Sequence, residues 1–331
     1  MHRILNKLCF EQRGSAAVVT GIFMVVLIGF SAFVLDFGIS YDKASKLQNS
    51  LDSAALAALQ ELPADNASSS AWLAAENTAI AYAAFNEFDI VPEDIRPIYK
   101  NDNSSNDIIG IKITKSVTVE YNFARVLGID SGTITRTSSA GLVPAGGISG
   151  AVPLSITDSS LSQAIAANIV SGLEIKCSSN TDDIGIDCTG VSGWFGALRF
   201  DGSGASDYSE LLANGYSGNL FVGQVLEMEN GNMSGPTMDG FTTRFNKCHD
   251  GCTVENYLPD CPKIVYVPVV EVLSKNTVKI VAFATFFLTE CGGTGNNSYI
   301  KATYLKDIVV PDSAAGASGS DFGLYVGKLL E

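Results

Sequence analysis

The pattern of apolar positions opens with one uninterrupted block. From Ala16 to Leu35 the chain reads AAVVTGIFMVVLIGFSAFVL, twenty residues without a charge and with Thr20 and Ser31 as the polar members. At about 1.5 Å of rise per residue, a helix of this length matches the roughly 30 Å hydrocarbon core of a bilayer. Such a helix satisfies all its backbone polar groups internally, as lipid requires. A buried core helix this long rarely lacks every charge, and a cleaved signal peptide has a shorter apolar core followed by extended chain. Here the helical pattern continues. Ile39 to Leu62 is rich in Ala, Leu, Gln and Lys, has no Pro or Gly, and repeats apolar residues at Leu47, Leu51, Ala54, Ala55, Ala58 and Leu62. That spacing predicts an amphipathic extension of the same helix, with Leu47, Leu51, Ala54 and Ala58 as the face that needs a partner. The partner is either the protein's own second helix or a related helix of another protein.

Beyond Leu62 the periodicity changes. Pro63–Ser70 is a break, and 71–88 predicts a second helix with Trp72, Ala75, Ala79, Tyr82 and Phe85 near one face. Strand-like runs follow at 95–99, 108–112, 116–121 and 133–137, with a polar tip at 101–107. From about residue 150 short apolar runs dominate. The strongest are KIVYVPVVEV at 263–272 and TVKIVAFATFFL at 277–288, with a turn at Asn276; a further strand region lies at 299–310, and the tail 313–320 reads as flexible. The fold class expected is α+β: a flank (1–15), a transmembrane helix (16–35), an extracytoplasmic helix (36–62), a small α+β domain (63–143) and a mainly-β, cysteine-containing domain (144–331). Val143-Pro144-Ala145-Gly146-Gly147 is the candidate linker.

Charge sets the orientation. Arg3, Lys7 and Arg13 stand against Glu11 before the apolar block, and Asp36 follows it. A basic flank stays in the cytoplasm, so the bulk of the chain is expected outside. The net charge of −14 excludes a nucleic-acid binder, whose affinity rests on Lys and Arg at phosphates.

The order of features around the apolar block resembles the N-terminal module of TadE/TadG-like Flp pilus-assembly proteins. The residues that carry the resemblance are Arg13-Gly14-Ser15-Ala16-Ala17-Val18 on entry, Leu35-Asp36-Phe37-Gly38 on exit, Tyr41, and Lys46-Leu47-Gln48-Asn49-Ser50-Leu51-Asp52-Ser53-Ala54-Ala55-Leu56-Ala57 beyond. Looser similarity to TadG-related proteins extends to 123–129, 231–237 and 281–288. Pilin-like members that are processed carry a Glu five residues after the Gly preceding the cut; here that position is Val19. The resemblance therefore implies an uncleaved, membrane-anchored component of pilus assembly whose partners are other pilus-assembly or pilin-like proteins and the lipid bilayer.

Candidate chemistry is sparse. Cys9 reads as a free cytoplasmic thiol. Cys177, Cys188, Cys248, Cys252, Cys261 and Cys291 are an even set of disulfide candidates, with Cys177–Cys188 the first pairing expected. Cys248-His249-Asp250-Gly251-Cys252 with Cys261 also offers zinc ligands, but no second close pair completes a tetrahedral pattern, so no metal is assigned. No catalytic residue is assigned either, because the only histidine outside, His249, sits between cysteines. No Gly-Lys-Ser/Thr phosphate loop is present, and no cofactor or small-molecule substrate is evident. The alternative function is a surface adhesin or metal-dependent binding protein using Asp158-Ser159-Ser160-Leu161-Ser162. That run fits the Asp-x-Ser-x-Ser loop of von Willebrand A domains, which some TadG relatives carry. The competing expectation there is a helix N-cap at Asp158 or Ser159. A Ca²⁺ loop at Asp182, Asp183 and Asp187 lacks EF-hand spacing, and an exported hydrolase is the third class considered.

Overall fold

The computed structural model of the protein describes residues 12–100, 107–177, 194–202, 204–229, 231–306, 308–310, 314–315 and 320–330. Arg3, Lys7, Cys9, the polar tip at 101–106, Asp182, Asp183, Asp187, Cys188 and most of the tail at 313–320 lie outside these residues. The chain divides into two compact units: 1–141 with 329–331, and 142–328.

The first unit begins with α1, Gln12–Ala58, one continuous helix of 47 residues and about 70 Å in length. No Pro interrupts it, which is why the apolar block and the amphipathic stretch form one element. The two parts differ in what surrounds them. Phe23, Phe30 and Phe33 are 60–67% exposed, whereas Leu47, Leu51, Ala54, Ala55 and Ala58 are fully buried. A short 3₁₀ turn, Leu59–Glu61, closes the helix.

The second helix, α2, covers Ser70–Phe85 and is capped by the Ser69 hydroxyl, which accepts from the Trp72 amide. Its buried face is Trp72, Ala75, Ala79 and Ala83, and it packs against α1. Tyr82 and Phe85, expected on that face, are 51% and 88% exposed. The stripe rotates onto Ala83 because alanines let α1 and α2 approach closely; the Ser50 hydroxyl reaches the Ala83 carbonyl at 3.4 Å. Three antiparallel strands follow: β1 (Ile95–Tyr99), β2 (Ile108–Glu120) and the first part of β3 (Ser131–Ser149). Ile111 and Ile113 of β2 are buried, and Gln48 of α1 donates to the Thr137 carbonyl of β3 at 3.2 Å.

Val143–Gly147, expected as a linker, is strand: it continues β3 into the second unit. Gly147 pairs with Phe221 of β7 (Asn219–Phe221). A methyl group there would fall 2.6 Å from the Phe221 ring, so the glycine serves close approach within a sheet.

In the second unit β4 (Ile156–Thr157) leads into α3 (Asp158–Ala166), then β5 (Leu173–Lys176), β6 (Leu198–Arg199), α4 (Ala205–Asn214), β7, β8 (Val225–Met228) and α5 (Ser234–Phe245). After these come β9 (Ile264–Val272), β10 (Thr277–Gly292), β11 (Tyr299–Leu305), β12 (Ile308–Val309), β13 (Ala314–Ala315) and β14 (Leu324–Leu330). The main sheet has the order β4-β9-β10-β11-β5, with β8 also on β10 and β6 on β8; the β4–β9 pair is parallel, and the pairs β9–β10, β10–β11, β11–β5, β10–β8 and β6–β8 are antiparallel. The expected strands at 263–272 and 277–288 are β9 and β10. Their near-continuous apolar character follows from burial on both faces. Ala284, Phe286 and Leu288 enter one core with Val265, Val267 and Val269, while Ile280 and Phe283 enter another with Val270. The helices α4 and α5 were not anticipated. Each turns a small apolar face inward, Tyr208 and Leu212 on α4 and Phe241 on α5.

Candidate functional site

The four interface positions Leu47, Leu51, Ala54 and Ala58 all lie within the first unit's core. The most organised polar feature of that unit is about three turns further back along α1, at Asp36. Its side chain is 4% exposed although Phe33, Val34, Leu35 and Phe37 around it are open. The carboxylate accepts three backbone amides from the turn that joins β2 to β3: Asn122 N at 2.9 Å, Phe123 N at 3.0 Å and Ala124 N at 2.6 Å.

Those amides open the 3₁₀ turn Ala124–Leu127, whose first N–H groups have no partner within the turn. A carboxylate placed there satisfies them and complements the turn's positive end. Burial pushes the Asp36 carboxyl up, and the amides of Ala124, Asn122 and Phe123 outweigh it, leaving its pKa below the ordinary 3.8. The interaction therefore contributes fully above pH 3.8 and is lost as pH falls through the lower folded value. Beside this junction Val25, Ile28, Gly29, Ala32 and Phe33 of α1 line a groove of about 330 Å³ with Phe123 and Ala124. Phe123 and Ile129 are themselves 43% and 52% exposed.

Asp158 does not build a metal site among the described residues. It is the first residue of α3, and Thr157 is the cap, its hydroxyl accepting from the Ser160 amide at 3.2 Å. The N-cap expected at Asp158 or Ser159 thus falls one residue earlier.

Of the disulfide candidates, Cys177 is buried, and Cys188, its expected partner, lies outside the described residues. Cys248, Cys252, Cys261 and Cys291 are free thiols. Cys248, Cys252 and Cys261 place their three sulfurs within 4.8 Å of one another.

A buried lysine, Lys176, has no mark in its sequence neighbourhood. Lys176 on β5 is fully buried. Its ammonium donates to the Ser298 carbonyl at 3.0 Å, the Ser298 hydroxyl at 3.3 Å and Asn232 Oδ1 at 3.5 Å. Burial lowers its pKa to about 8. A depressed base disfavours folding while both states are protonated, and the penalty fades as pH rises from about 8 to the ordinary 10.5. Stability of the second unit is accordingly expected to rise across that window by on the order of 3 kcal/mol. Lys176→Met should abolish the rise, measured by chemical denaturation of both proteins. An identical pH profile for the two would refute it.

The class defined by these features is a chain with one N-terminal helix long and apolar enough to cross a membrane, tied at the end of its apolar segment to a small α+β unit. Residues 14–83 match the family model Tad, described as putative Flp pilus-assembly TadE/G-like. The match takes in the apolar block, Asp36, the buried face of α1 and nearly all of α2. No curated protein and no solved structure matches the chain.

Proposed function

We propose that this protein is a membrane-anchored, non-enzymatic component of Flp-type pilus assembly. Residues 16–35 cross the bilayer, the basic flank stays in the cytoplasm, and the chain from residue 36 onward stands outside, where it binds other pilus-assembly or pilin-like proteins. The observation that carries this reading is the match of residues 14–83 to the TadE/G-like family. The exposure of the whole apolar block supports the anchor, since twenty uncharged residues left open to water need lipid or a partner to cover them. Asp36 then lies at the outer lipid–water boundary and fixes the β2–β3 turn there.

The test combines topology with phenotype. In intact cells an impermeant thiol reagent should label a Ser45→Cys variant, whose new thiol sits on an exposed position, and should reach Cys9 only after permeabilisation. Deletion should abolish pili, and crosslinking from Ser45→Cys should recover pilus-assembly proteins. Labelling of Cys9 in intact cells would reverse the orientation, and normal pili after deletion would sink the assigned role.

A further inference from the structure

Between the end of α5 at Phe245 and the start of β9 at Ile264 the chain runs without helix or strand. An irregular connection of that length needs something to hold it. Its own apolar contacts are few: Cys252 and Cys261 with Phe287 and Leu305, and Cys248, Val254, Tyr257, Ile264 and Ile308 around them. The three cysteines converge at the middle of this small cluster.

We propose that Cys248, Cys252 and Cys261 bind a thiophilic divalent metal ion of the Zn²⁺ class as three thiolate ligands. Zinc–sulfur bonds of about 2.3 Å in tetrahedral geometry require sulfurs about 3.8 Å apart. Cys248 and Cys261 Sγ are separated by 3.7 Å, and no pair among the three exceeds 4.8 Å. A disulfide would need about 2.05 Å, and any one pairing would strand the third thiol.

The backbone around Cys248 suits a thiolate. Gly251 takes a left-handed φ of +64°, which folds Cys252 back toward Cys248. The amides of Cys252 and Asp250 lower the Cys248 thiol from its ordinary value, whereas burial raises the Cys261 thiol to about 12. Amides aimed at ligating sulfurs are the outer-shell contacts that orient thiolates and offset their charge. Three thiolates around a divalent ion leave a net charge of −1, and the Lys263 ammonium lies close by, donating to the Cys252 carbonyl at 3.1 Å. Binding releases three protons, one from each thiol, so affinity falls on acidification. Cys248 is only half-buried and His249 is exposed, so the fourth corner faces solvent. The spacing Cys-x₃-Cys-x₈-Cys carries too little pattern to mark such a site in the sequence.

The experiment uses the full-length protein, purified in detergent without chelator. About one zinc per chain is expected. After chelation under reducing conditions, Co²⁺ should restore thiolate-to-metal charge-transfer absorption at one equivalent. Cys252→Ser should weaken Co²⁺ binding by more than about 100-fold, and Cys291→Ser should leave it unchanged. Because Cys252→Ser could unfold the loop, alkylation of the wild-type protein provides a second readout. Bound metal should protect Cys248, Cys252 and Cys261, and chelation should expose all three without altering Cys291. Absence of Co²⁺ bands in the reduced protein, protection indifferent to chelator, or a Cys248–Cys261 disulfide trapped directly from cells would each overturn the proposal.

Discussion

Leu51→Asp should unfold the first unit of the full-length protein or bring it to the edge of unfolding. Leu51 is fully buried on α1, as are Leu47, Ala54, Ala55 and Ala58 on the same face. Removing the side chain alone, as in Leu51→Ala, costs about 2–5 kcal/mol through lost transfer energy and the cavity left behind. A carboxylate at that position adds desolvation without a partner. Domains of this size have only about 5–15 kcal/mol in hand. The expected readout is loss of amide-exchange protection across α1 from about residue 44 and across α2, with the second unit still protected. Leu56→Asp, on the exposed side of the same helix, should change protection little. Equal protection in wild type and Leu51→Asp would mean that the α1–α2 interface does not hold the unit together. The burial also bears on docking: a partner helix cannot reach Leu47 or Leu51 unless α1 and α2 separate first, so partners of the folded unit must use exposed positions such as Tyr41, Leu56, Leu73, Tyr82 and Phe85.

The elements legible in the sequence were those set by local pattern. The apolar block and the heptad-like spacing after it announced α1, and the doubly buried runs at 263–272 and 277–288 announced β9 and β10. What the sequence concealed depends on contacts between distant residues. Val143-Pro144-Ala145-Gly146-Gly147 has the composition of a linker, but Gly147 is there because Phe221 lies across it. The α2 stripe looked centred on large residues, and the structure buries Ala83 in place of Tyr82 and Phe85 because close helix contact favours small side chains. Neither Lys176, which is folded against Ser298 more than a hundred residues later, nor the convergence of Cys248, Cys252 and Cys261 has a local signature. Asp36 is the intermediate case. Its place in the exit motif Leu35-Asp36-Phe37-Gly38 singled it out, but the reason an acid stands there is a turn 86 residues downstream.

That turn yields the second large expected effect. Asp36→Ala should release residues 122–124 from the helix and leave three amides without their acceptor. Hydrogen bonds to a charged acceptor are among the stronger ones, and here one carboxylate takes all three, so their loss is cooperative. Amide exchange at Asn122, Phe123 and Ala124 should accelerate by about tenfold or more, while amides in the buried part of α1 near Leu51 should be unaffected. Asp36→Asn separates charge from shape. Its carbonyl oxygen can still accept, but it lacks the second carboxylate oxygen and the negative charge that complements the start of the 3₁₀ turn. It should fall between wild type and Asp36→Ala. The wild-type protein should approach the Asp36→Ala exchange rates as pH falls through the depressed carboxyl pKa, and Asp36→Asn should show no such acid transition. Exchange at 122–124 that is the same in all three proteins would show that the carboxylate does not hold the turn. In the membrane-anchored reading the consequence extends to function. Phe123 lines the groove beside the apolar segment, in the turn that Asp36 holds. Asp36→Ala should therefore reduce piliation even where the folded units keep their stability.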